Sequence, residues 1–390
     1  MARKSSKLSY HGSPHHNQDK DHDQNNNNQQ QLIPGLPDHI SHLILSKIPP
    51  LKLYSICHPW RNFIYSLIFP PFYSLYAVLT PDNLITNSSS NFHQQFLTPI
   101  SFFIFDPISS RWAPLPPPPP FSLLVRYPSF ISRDLPVQSV TVGDKLAVVA
   151  GTTQHLAPAV PKPLVFDPIT HGWDYGPRVP VPRRWCATGS SSGSLYIASG
   201  VGSHFSSTTA RSVERWDPSK PNGPKWEKLT PLKDGRFSRE ASEAVGLRGQ
   251  LYLVNVKGNA AKQGAVYSLK KNTWKDMKEG MVAGWRGPAA SMAEEVMYMV
   301  DESKGTLKMY NEEKDEWVNV MESDKLRGAQ QMAARGGRLC VVCNGGSEIV
   351  VVDVVATPPR LWAVEPPKGF NVAAVHILPR MSRVHSGLNT

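Results

Sequence analysis

Cysteine and charged residues are scarce in this chain. Of 390 residues four are cysteines, Cys57, Cys186, Cys340 and Cys343, and Asp, Glu, Lys and Arg together make up 19%. Four dispersed thiols cannot build a disulfide framework in a chain of this length, so a reducing compartment is favoured. Cys340 and Cys343 match Cys-x-x-Cys, but in an apolar strand-like run residues three apart point to opposite faces. With no second Cys or His pair nearby, the pattern predicts packed strand residues and no zinc site.

Long hydrophobic runs are also missing. No run of about 18 apolar residues occurs, so nothing is expected to span a membrane. The N-terminus lacks the apolar stretch of a secretory signal, which leaves the cytoplasm, the nucleus or both. The formal net charge of +11 favours acidic partners in general. Nucleic acid is not favoured, because no helix-turn-helix, finger or RNA-recognition motif accompanies the charge.

The motifs of common enzyme classes are absent. The chain has no Gly-x-Ser-x-Gly elbow, no phosphate-binding loop and no His-Glu-x-x-His. Four histidines are candidate metal ligands, but they lie in separate units without a shared pattern: His155, His171, His204 and His376. We therefore predict a protein that is not an enzyme and that needs no cofactor and no metal.

What the chain does contain is a ladder of tryptophans. The ladder is formed by Trp112, Trp173, Trp226, Trp274, Trp317 and Trp362, which are separated by 61, 53, 48, 43 and 45 residues. Each follows a short β-branched or aromatic run that ends in a turn residue, as in Phe166-Asp167 and Tyr310-Asn311. A strand, a polar turn and a second strand repeated at about 50 residues is the period of a kelch β-propeller. The regular place of the tryptophans favours packing between repeats over a binding platform.

Counting strands predicts how the ring closes. The first unit begins with what would be its second strand, Ser74 to Leu79, and an unpaired strand, Val372 to Leu378, remains after the sixth ladder tryptophan. If the C-terminal strand completes the first blade, the ring has six blades and no open edge. The expected fold is mainly β, with a six-bladed propeller over residues 71–379, its closing strand near 372–378, and a flexible tail over 380–390.

The first 70 residues have a different composition. Residues 1–31 are rich in Asn, Gln and His and have few apolar side chains, so a disordered tail is expected. From Leu32 onward, apolar residues recur at helical spacing, with Asp38 placed to cap the first helix. Pro59 interrupts a second apolar set, which predicts a turn at His58 followed by a new helix. The prediction is a small all-α module over 32–70.

Within this module the sequence resembles an F-box. The resemblance rests on Leu36-Pro37-Asp38-His39-Ile40, then Ile48-Pro49, then Ile56-Cys57-His58-Pro59-Trp60-Arg61, set against a family pattern that opens with Leu-Pro and closes with Val-Cys-x-x-Trp-Arg. The stretch from Pro49 to Trp60 is shorter than the family's. Together with the kelch-type repeats, this motif makes nearly the whole chain similar to the plant F-box/kelch-repeat proteins of the Skp-interacting-partner group.

That resemblance implies a function. Such proteins are the substrate-recognition subunits of SCF (Skp-cullin-F-box) ubiquitin ligases: the F-box docks to the Skp adaptor, and through it to cullin and the RING subunit, while the propeller binds the client protein. Seven residues would face the adaptor or support that face: Leu36, Pro37, Ile40, Ile44, Leu51, Cys57 and Trp60. The alternative is a kelch scaffold or sensor that recruits no ligase.

Arginines recur after the ladder at similar offsets and suggest where a client binds. Arg184, Arg239, Arg286 and Arg327 lie 10 to 13 residues past a ladder tryptophan, each just before an expected innermost strand. Equivalent positions of successive blades converge at one mouth of the channel. A basic ring there, with Trp185 and Trp285 beside it, would suit an acidic or phosphorylated client. The competing interpretation is that these arginines bond turn carbonyls within the blades.

Overall fold

The computed structural model describes residues 31–82, 100–119, 137–153, 157–158, 160–220, 225–238, 241–257 and 260–381. The predicted N-terminal tail, apart from its last residue, lies outside this range. So do Arg239, His155 and all but two residues of the predicted C-terminal tail.

Six four-stranded antiparallel sheets make up most of the described chain. Blade 1 contains β1 (Tyr73–Pro81), β2 (Ser101–Asp106) and β3 (Arg111–Pro114); blade 2 contains β4 (Val137–Val142), β5 (Lys145–Gly151), β6 (Leu164–Asp167) and β7 (Gly172–Tyr175). Blade 3 contains β8 (Ala187–Ser191), β9 (Ser194–Ala198), β10 (Val213–Trp216) and β11 (Glu227–Lys228); blade 4 contains β12 (Ala241–Leu247), β13 (Gln250–Lys257), β14 (Ala260–Ser268) and β15 (Thr273–Asp276). Blade 5 contains β16 (Ala289–Met292), β17 (Val296–Asp301), β18 (Thr306–Asn311) and β19 (Glu316–Glu322); blade 6 contains β20 (Gln331–Arg335), β21 (Arg338–Cys343), β22 (Glu348–Asp353) and β23 (Arg360–Val364). The last strand, β24 (Phe370–Pro379), joins blade 1, and the predicted six-bladed propeller is confirmed.

The ring closes through β24, as the strand count predicts. This strand pairs antiparallel with β1, from Tyr73 opposite Pro379 to Pro81 opposite Phe370. It takes the innermost position of blade 1, where the first strand of each other blade lies. Residues from the two ends of the propeller sequence therefore share one sheet, and blade 1 depends on both.

Side chains also bond β24 to the blades on either side. His376 is buried with its two ring nitrogens 2.9 and 3.1 Å from the hydroxyls of Ser139 and Thr141 on β4. Burial lowers the pKa of His376 to about 3, so the ring is neutral at physiological pH. On the other side, the Gln331 amide of β20 accepts a bond from the Val375 N–H at 2.9 Å and donates one to the Val375 carbonyl at 3.2 Å. The closing strand is thus bonded to blades 2 and 6 as well as to β1.

The tryptophan ladder forms the contacts between blades. Each ladder indole lies on the outermost strand of its blade or directly beside it, and in five blades its ring packs on an aromatic residue of the third strand at 5.1 to 5.9 Å. Five indoles also donate their Nε1–H to a carbonyl of the preceding blade, at 2.8 to 3.0 Å: Trp112 to Glu365, Trp173 to Pro116, Trp226 to Pro177, Trp274 to Thr230 and Trp317 to Met281. The bond from Trp112 to Glu365 joins blade 1 to blade 6. The predicted packing role is confirmed for these five tryptophans, and the hydrogen bonds add to it, whereas Trp362 is 40% exposed.

Apolar clusters fill the spaces between neighbouring sheets. Between blades 1 and 2 the cluster includes Tyr76, Val148 and Phe166. Cys340 packs into the cluster between blades 6 and 1, and Cys343 into the cluster between blades 5 and 6. The two thiols point to opposite faces of β21, as expected of packed strand residues. Burial raises the pKa of both to about 12.

The strand order gives the propeller two different faces. The connections between blades, and those between second and third strands, lie at the end where the innermost strands begin; we call this end the loop face. The hairpins between first and second and between third and fourth strands lie at the other end, the hairpin face. Three of the predicted client arginines, Arg184, Arg286 and Arg327, belong to connections on the loop face.

Three short helices precede the propeller: α1 (Asp38–Leu45), α2 (Pro50–Tyr54) and α3 (His58–Ile64). Asp38 does not cap α1 as expected. It is the first helical residue, Pro37 occupies the N-cap position, and no side-chain cap bond forms. The predicted turn at His58 is one residue too late, because Cys57 is the N-cap of α3 and Pro59 lies in its first turn, where proline is tolerated. Within the described residues, no helix has the length and apolar character needed to cross a membrane.

Candidate functional site

The helical module has a small core of its own. Leu45, Leu53, Phe63 and Ile64 are buried together, with contributions from flanking residues. Trp60 packs partly against this cluster and donates its Nε1–H to the Leu32 carbonyl at 2.6 Å. It therefore supports the module from inside.

Outside this core the module exposes apolar side chains. Ile44, Leu51 and Pro37 of the predicted adaptor set are exposed, and Leu36, Ile40 and Cys57 are half-buried. Four further large apolar residues outside the predicted set are strongly exposed: Leu43 at 64%, Ile56 at 58%, Leu67 at 75% and Ile68 at 62%. The module therefore exposes an unusual number of large apolar residues for a unit of its size. Leu43 lies at helical spacing from Ile40 and next to Ile44, and this spacing is the sequence signal that could have added Leu43 to the predicted adaptor set.

The predicted client residues on the loop face have different surroundings. Arg286 and Arg327 are exposed, and Arg327 pairs with its neighbour Asp324 at 3.0 Å. Arg184 is mostly buried, with its guanidinium 4.4 Å from the ring centre of the half-buried Trp185. Arg239 lies outside the described residues.

Trp285 is a correction to the predicted client site. Its side chain is 0% exposed and belongs to the apolar cluster between blades 4 and 5. Its ring meets that of Trp317 edge-on at 5.7 Å. The residue follows α5 (Glu279–Gly284), whose backbone turns the indole into the core. Trp285 is therefore a packing residue and cannot touch a client.

A buried arginine that bonds loop carbonyls beside Arg184 is one that the offset pattern missed. Arg183 is 1% exposed and pairs at 2.8 Å with Glu214 of β10, which is equally buried. Its remaining donors reach the carbonyls of Val181 and Ser199 at 3.0 and 3.1 Å and the Ser212 hydroxyl at 2.7 Å. A buried arginine needs such partners. This one joins both loops of blade 3 on the loop face.

Comparison with known proteins decides the family. The chain is 49% identical over 368 residues to the F-box/kelch-repeat protein SKIP25 of Arabidopsis thaliana, a match that covers 90% of each chain. The chain belongs to the F-box/kelch-repeat proteins. More distant similarity extends to F-box/kelch-repeat protein SKIP4, at 22% identity over 87% of this chain and 93% of that one, and to F-box protein AFR, at 25% over 66% and 65%, both of Arabidopsis thaliana. No protein-family profile matches the sequence.

In this F-box/kelch-repeat chain, one arginine holds the F-box against the propeller. Arg380, directly after β24, is buried and donates to the carbonyls of Tyr65, Ser66 and Phe69, the second at 2.7 Å. Its own N–H donates to the Phe72 carbonyl at 2.8 Å. The strand that closes the ring thus ends by bonding the segment that leaves α3.

A second contact lies beside the first. The Tyr65 hydroxyl donates to the carboxylate of Asp106, at the turn between β2 and β3, and Ile108 of that turn packs on the F-box core. Both contacts are on the hairpin face of blade 1. The F-box therefore sits at the end of the propeller opposite the loop face.

Replacing Arg380 with Met is expected to loosen this junction. The buried carbonyls of Tyr65 and Ser66 would lose their donor, at a cost of about 2–3 kcal/mol in the free energy of unfolding. Hydrogen exchange should quicken in α3 and its following segment while the blade cores stay protected.

The matched control is Arg335→Met on the same face. Arg335 forms a more exposed pair with Asp144, and its loss should cost about 1 kcal/mol or less. Equal exchange in α3 for wild type and Arg380→Met would show that Arg380 does not hold the F-box.

The channel at the propeller axis is polar and encloses about 800 Å³, lined by the six innermost strands. At the hairpin face, Glu294 accepts bonds from Ser191 and Ser192, and Arg248 pairs with Glu295 and Glu312. These bonds join hairpins of blades 3, 4 and 5. No cluster of three or more metal-ligating side chains occurs in the described part of the chain.

Proposed function

We propose that this protein is the substrate receptor of an SCF-type ubiquitin ligase. The observation that carries the proposal is the exposure of large apolar side chains on the F-box, which its contacts with blade 1 leave uncovered. Leu43, Ile44 and Leu51 are too large and too numerous on so small a module to be left in water without a partner. The partner proposed is the Skp adaptor, and through it cullin and the RING subunit.

The energetics suit a protein interface. Fully burying a Leu or Ile side chain contributes about 1.5–3 kcal/mol, so a few such residues can supply the centre of an interface. Trp60 and Leu36 would act from behind, by fixing the backbone on which the exposed residues stand. Ile56, which the F-box pattern did not mark as a contact, would extend the same surface.

The two ends of the molecule would then have separate tasks. The adaptor binds at the F-box on the hairpin face, and the client binds on the loop face at the other end of the propeller. The receptor works by proximity, bringing a client lysine to the ubiquitin-charged enzyme, and performs no bond chemistry itself. It needs no cofactor and acts in the cytoplasm, the nucleus or both.

Affinity purification from plant cells, with the Skp adaptor and cullin measured by quantitative mass spectrometry, tests this proposal. Wild type should bring down both. Leu36→Ala/Pro37→Ala should lose them through the start of α1, and Ile44→Asp/Leu51→Asp through the exposed surface, each by about tenfold or more, a difference of about 1.4 kcal/mol. The matched control is Val318→Asp, an exposed apolar position on β19.

Each outcome has a distinct meaning. Loss of adaptor with clients retained supports the receptor. Absence of adaptor and cullin from every sample, wild type included, overturns it and leaves a kelch scaffold or sensor. That alternative would be consistent with the short α2, which has five residues.

A further inference from the structure

Two connections of blade 3 meet on the loop face. Residues 176–186 lead from β7 into β8, and residues 199–212, with α4 (Ser207–Arg211), lead from β9 to β10. The backbones of Arg184 and Val201 bond each other in both directions at 2.9 Å, which extends the β8–β9 ladder beyond the sheet. We call the surface formed by these two connections the blade 3 platform.

The platform is held rigid from below. Arg183 bonds the Val181 carbonyl in the first connection and Ser199 and Ser212 at the two ends of the second, while its charge is balanced by Glu214. Above it, Trp185 has φ of 53°, a backbone conformation uncommon for a bulky residue and kept only where the surroundings enforce it. A binding surface fixed before the ligand arrives loses little entropy on binding.

Apolar side chains stand exposed on this support. Phe205 is 52% exposed and Val181 38% exposed, both on the loop face. Gly202 lies between their two segments: a Cβ there would be 3.5 Å from the Val181 Cγ1 and 3.7 Å from the His204 carbonyl. Val181 and the backbone next to Phe205 are therefore near neighbours. The half-buried Trp185, with Arg184 stacked on its ring, belongs to the same connection.

The charge of the platform has one sign. Neither connection contains an Asp or a Glu. Besides Arg183, which Glu214 neutralises, and the mostly buried Arg184, the connections carry Arg178 and Arg211, both exposed. The Arg211 Nε–H donates to the Leu232 carbonyl at 2.8 Å, and its charge adds to the hydrogen bond from Arg236 in lowering the pKa of Asp234, so the remaining N–H groups of Arg211 are the ones open to a ligand. Exposed arginines around an apolar centre favour a ligand with carboxylates or phosphates around an apolar anchor.

From this arrangement we infer that the blade 3 platform binds the client, and that it takes a peptide segment in which a large apolar side chain is flanked by acidic residues. The apolar anchor packs against Phe205 and Val181, and the acidic residues pair with Arg178 and Arg211. The identification of this ligand as the client rests on the proposed receptor function. The binding of such a peptide to the platform does not depend on that function. The arginine ring built on Arg286 and Arg327 is the competing location.

Phage-displayed random peptides panned on the full-length protein provide the probe, with affinities of the selected peptides measured by fluorescence polarisation. Enriched sequences should carry an aromatic or large aliphatic residue beside Asp or Glu. Phe205→Ser should weaken them about tenfold or more, and Arg178→Glu by about threefold to tenfold, the second effect shrinking at high salt. The matched control is Arg286→Ala/Arg327→Ala, which should change the affinity by less than about twofold.

Thermal unfolding of both variants is measured beside wild type, so that a loss of affinity is separated from a loss of stability. Selected peptides that lose affinity in Arg286→Ala/Arg327→Ala but not in Phe205→Ser would overturn the inference and move the site to the arginine ring. Failure to enrich any peptide would overturn it as well. Adaptor co-purification is measured separately, so a platform that binds peptides in a protein that recruits no ligase would be recognised as such.

Discussion

A chain that ends at Asn371 is expected to lose cooperative folding. It would lack all but the first two residues of β24, and with them the inner neighbour of β1, the bonds of His376 to blade 2 and those of Val375 to Gln331. Val372, Val375, Ile377 and Leu378 are buried, and each is worth about 1.5–3 kcal/mol. Their sum is comparable with the whole net stability of a domain, about 5–15 kcal/mol.

Thermal unfolding followed by circular dichroism, together with the urea m value, measures this loss. The truncated protein should show a shallow transition or none, and it should expose the free edge of β1 to aggregation. A control chain that ends at Met381 keeps β24 and Arg380 and should melt like the full-length protein. A chain ending at Asn371 with a full-length melting curve would refute closure by the C-terminal strand.

Replacing Arg183 with Met is expected to destabilise the protein by about 3–5 kcal/mol, the largest effect we expect from a single substitution. Met has a similar length but no donors, so Glu214 would keep a buried carboxylate without its cation, and the carbonyls of Val181 and Ser199 would lose their donor. The cost comes from what remains behind after one partner is removed.

The double variant Arg183→Met/Glu214→Met shows whether the pair is the cause. With both charges removed, much of the stability should return, so the double variant should unfold at higher urea than Arg183→Met alone. Arg215→Met, which breaks the more exposed pair with Glu227, is the control and should cost much less, about 1 kcal/mol. If the double variant loses as much stability as Arg183→Met and Glu214→Met lose in sum, the two residues are not energetically coupled.

The double variant Arg183→Met/Glu214→Met also separates the effect of Arg183 on protein stability from its effect on peptide binding. In the double variant the connections of blade 3 lose their common support even where the fold survives. We therefore expect platform peptides to bind it less tightly than wild type while the Arg286 and Arg327 side chains are unchanged.

The repeat pattern was enough to predict the architecture, because each of its signals lies within a short stretch of sequence. A turn residue followed at short range by a ladder tryptophan marks the third and fourth strands of a blade, and repetition of the unit multiplies a weak signal. When the strands between the tryptophans are assigned to blades, β24 remains unassigned and blade 1 lacks an innermost strand. The count therefore predicts that β24 completes blade 1. The F-box motif was equally legible, since Leu36, Pro37, Cys57 and Trp60 stand in the family's order.

The predictions for the loop face were less accurate. Offsets from the ladder selected Arg184, and Trp285 was added because it stands beside Arg286, yet Arg184 is mostly buried and Trp285 is entirely so. The same offsets passed over Arg183, whose role depends on Glu214, and over Phe205, which lies in a different connection. An offset gives the place of a residue along the chain, but it says nothing about which way an irregular backbone turns the side chain.

The sequence by itself determined the family, the blade count, the closing strand and the packing role of the tryptophans, because periodic apolar and turn residues encode regular strands directly. Only the tertiary structure decided that the ladder indoles bond the preceding blade, that Arg380 ties the F-box to the hairpin face, and that Arg183 supports the blade 3 platform. Each of these contacts joins residues far apart in the chain. The partners are decided by ring closure, which brings these residues together. A polar group that is then buried away from water must bond to a polar group beside it.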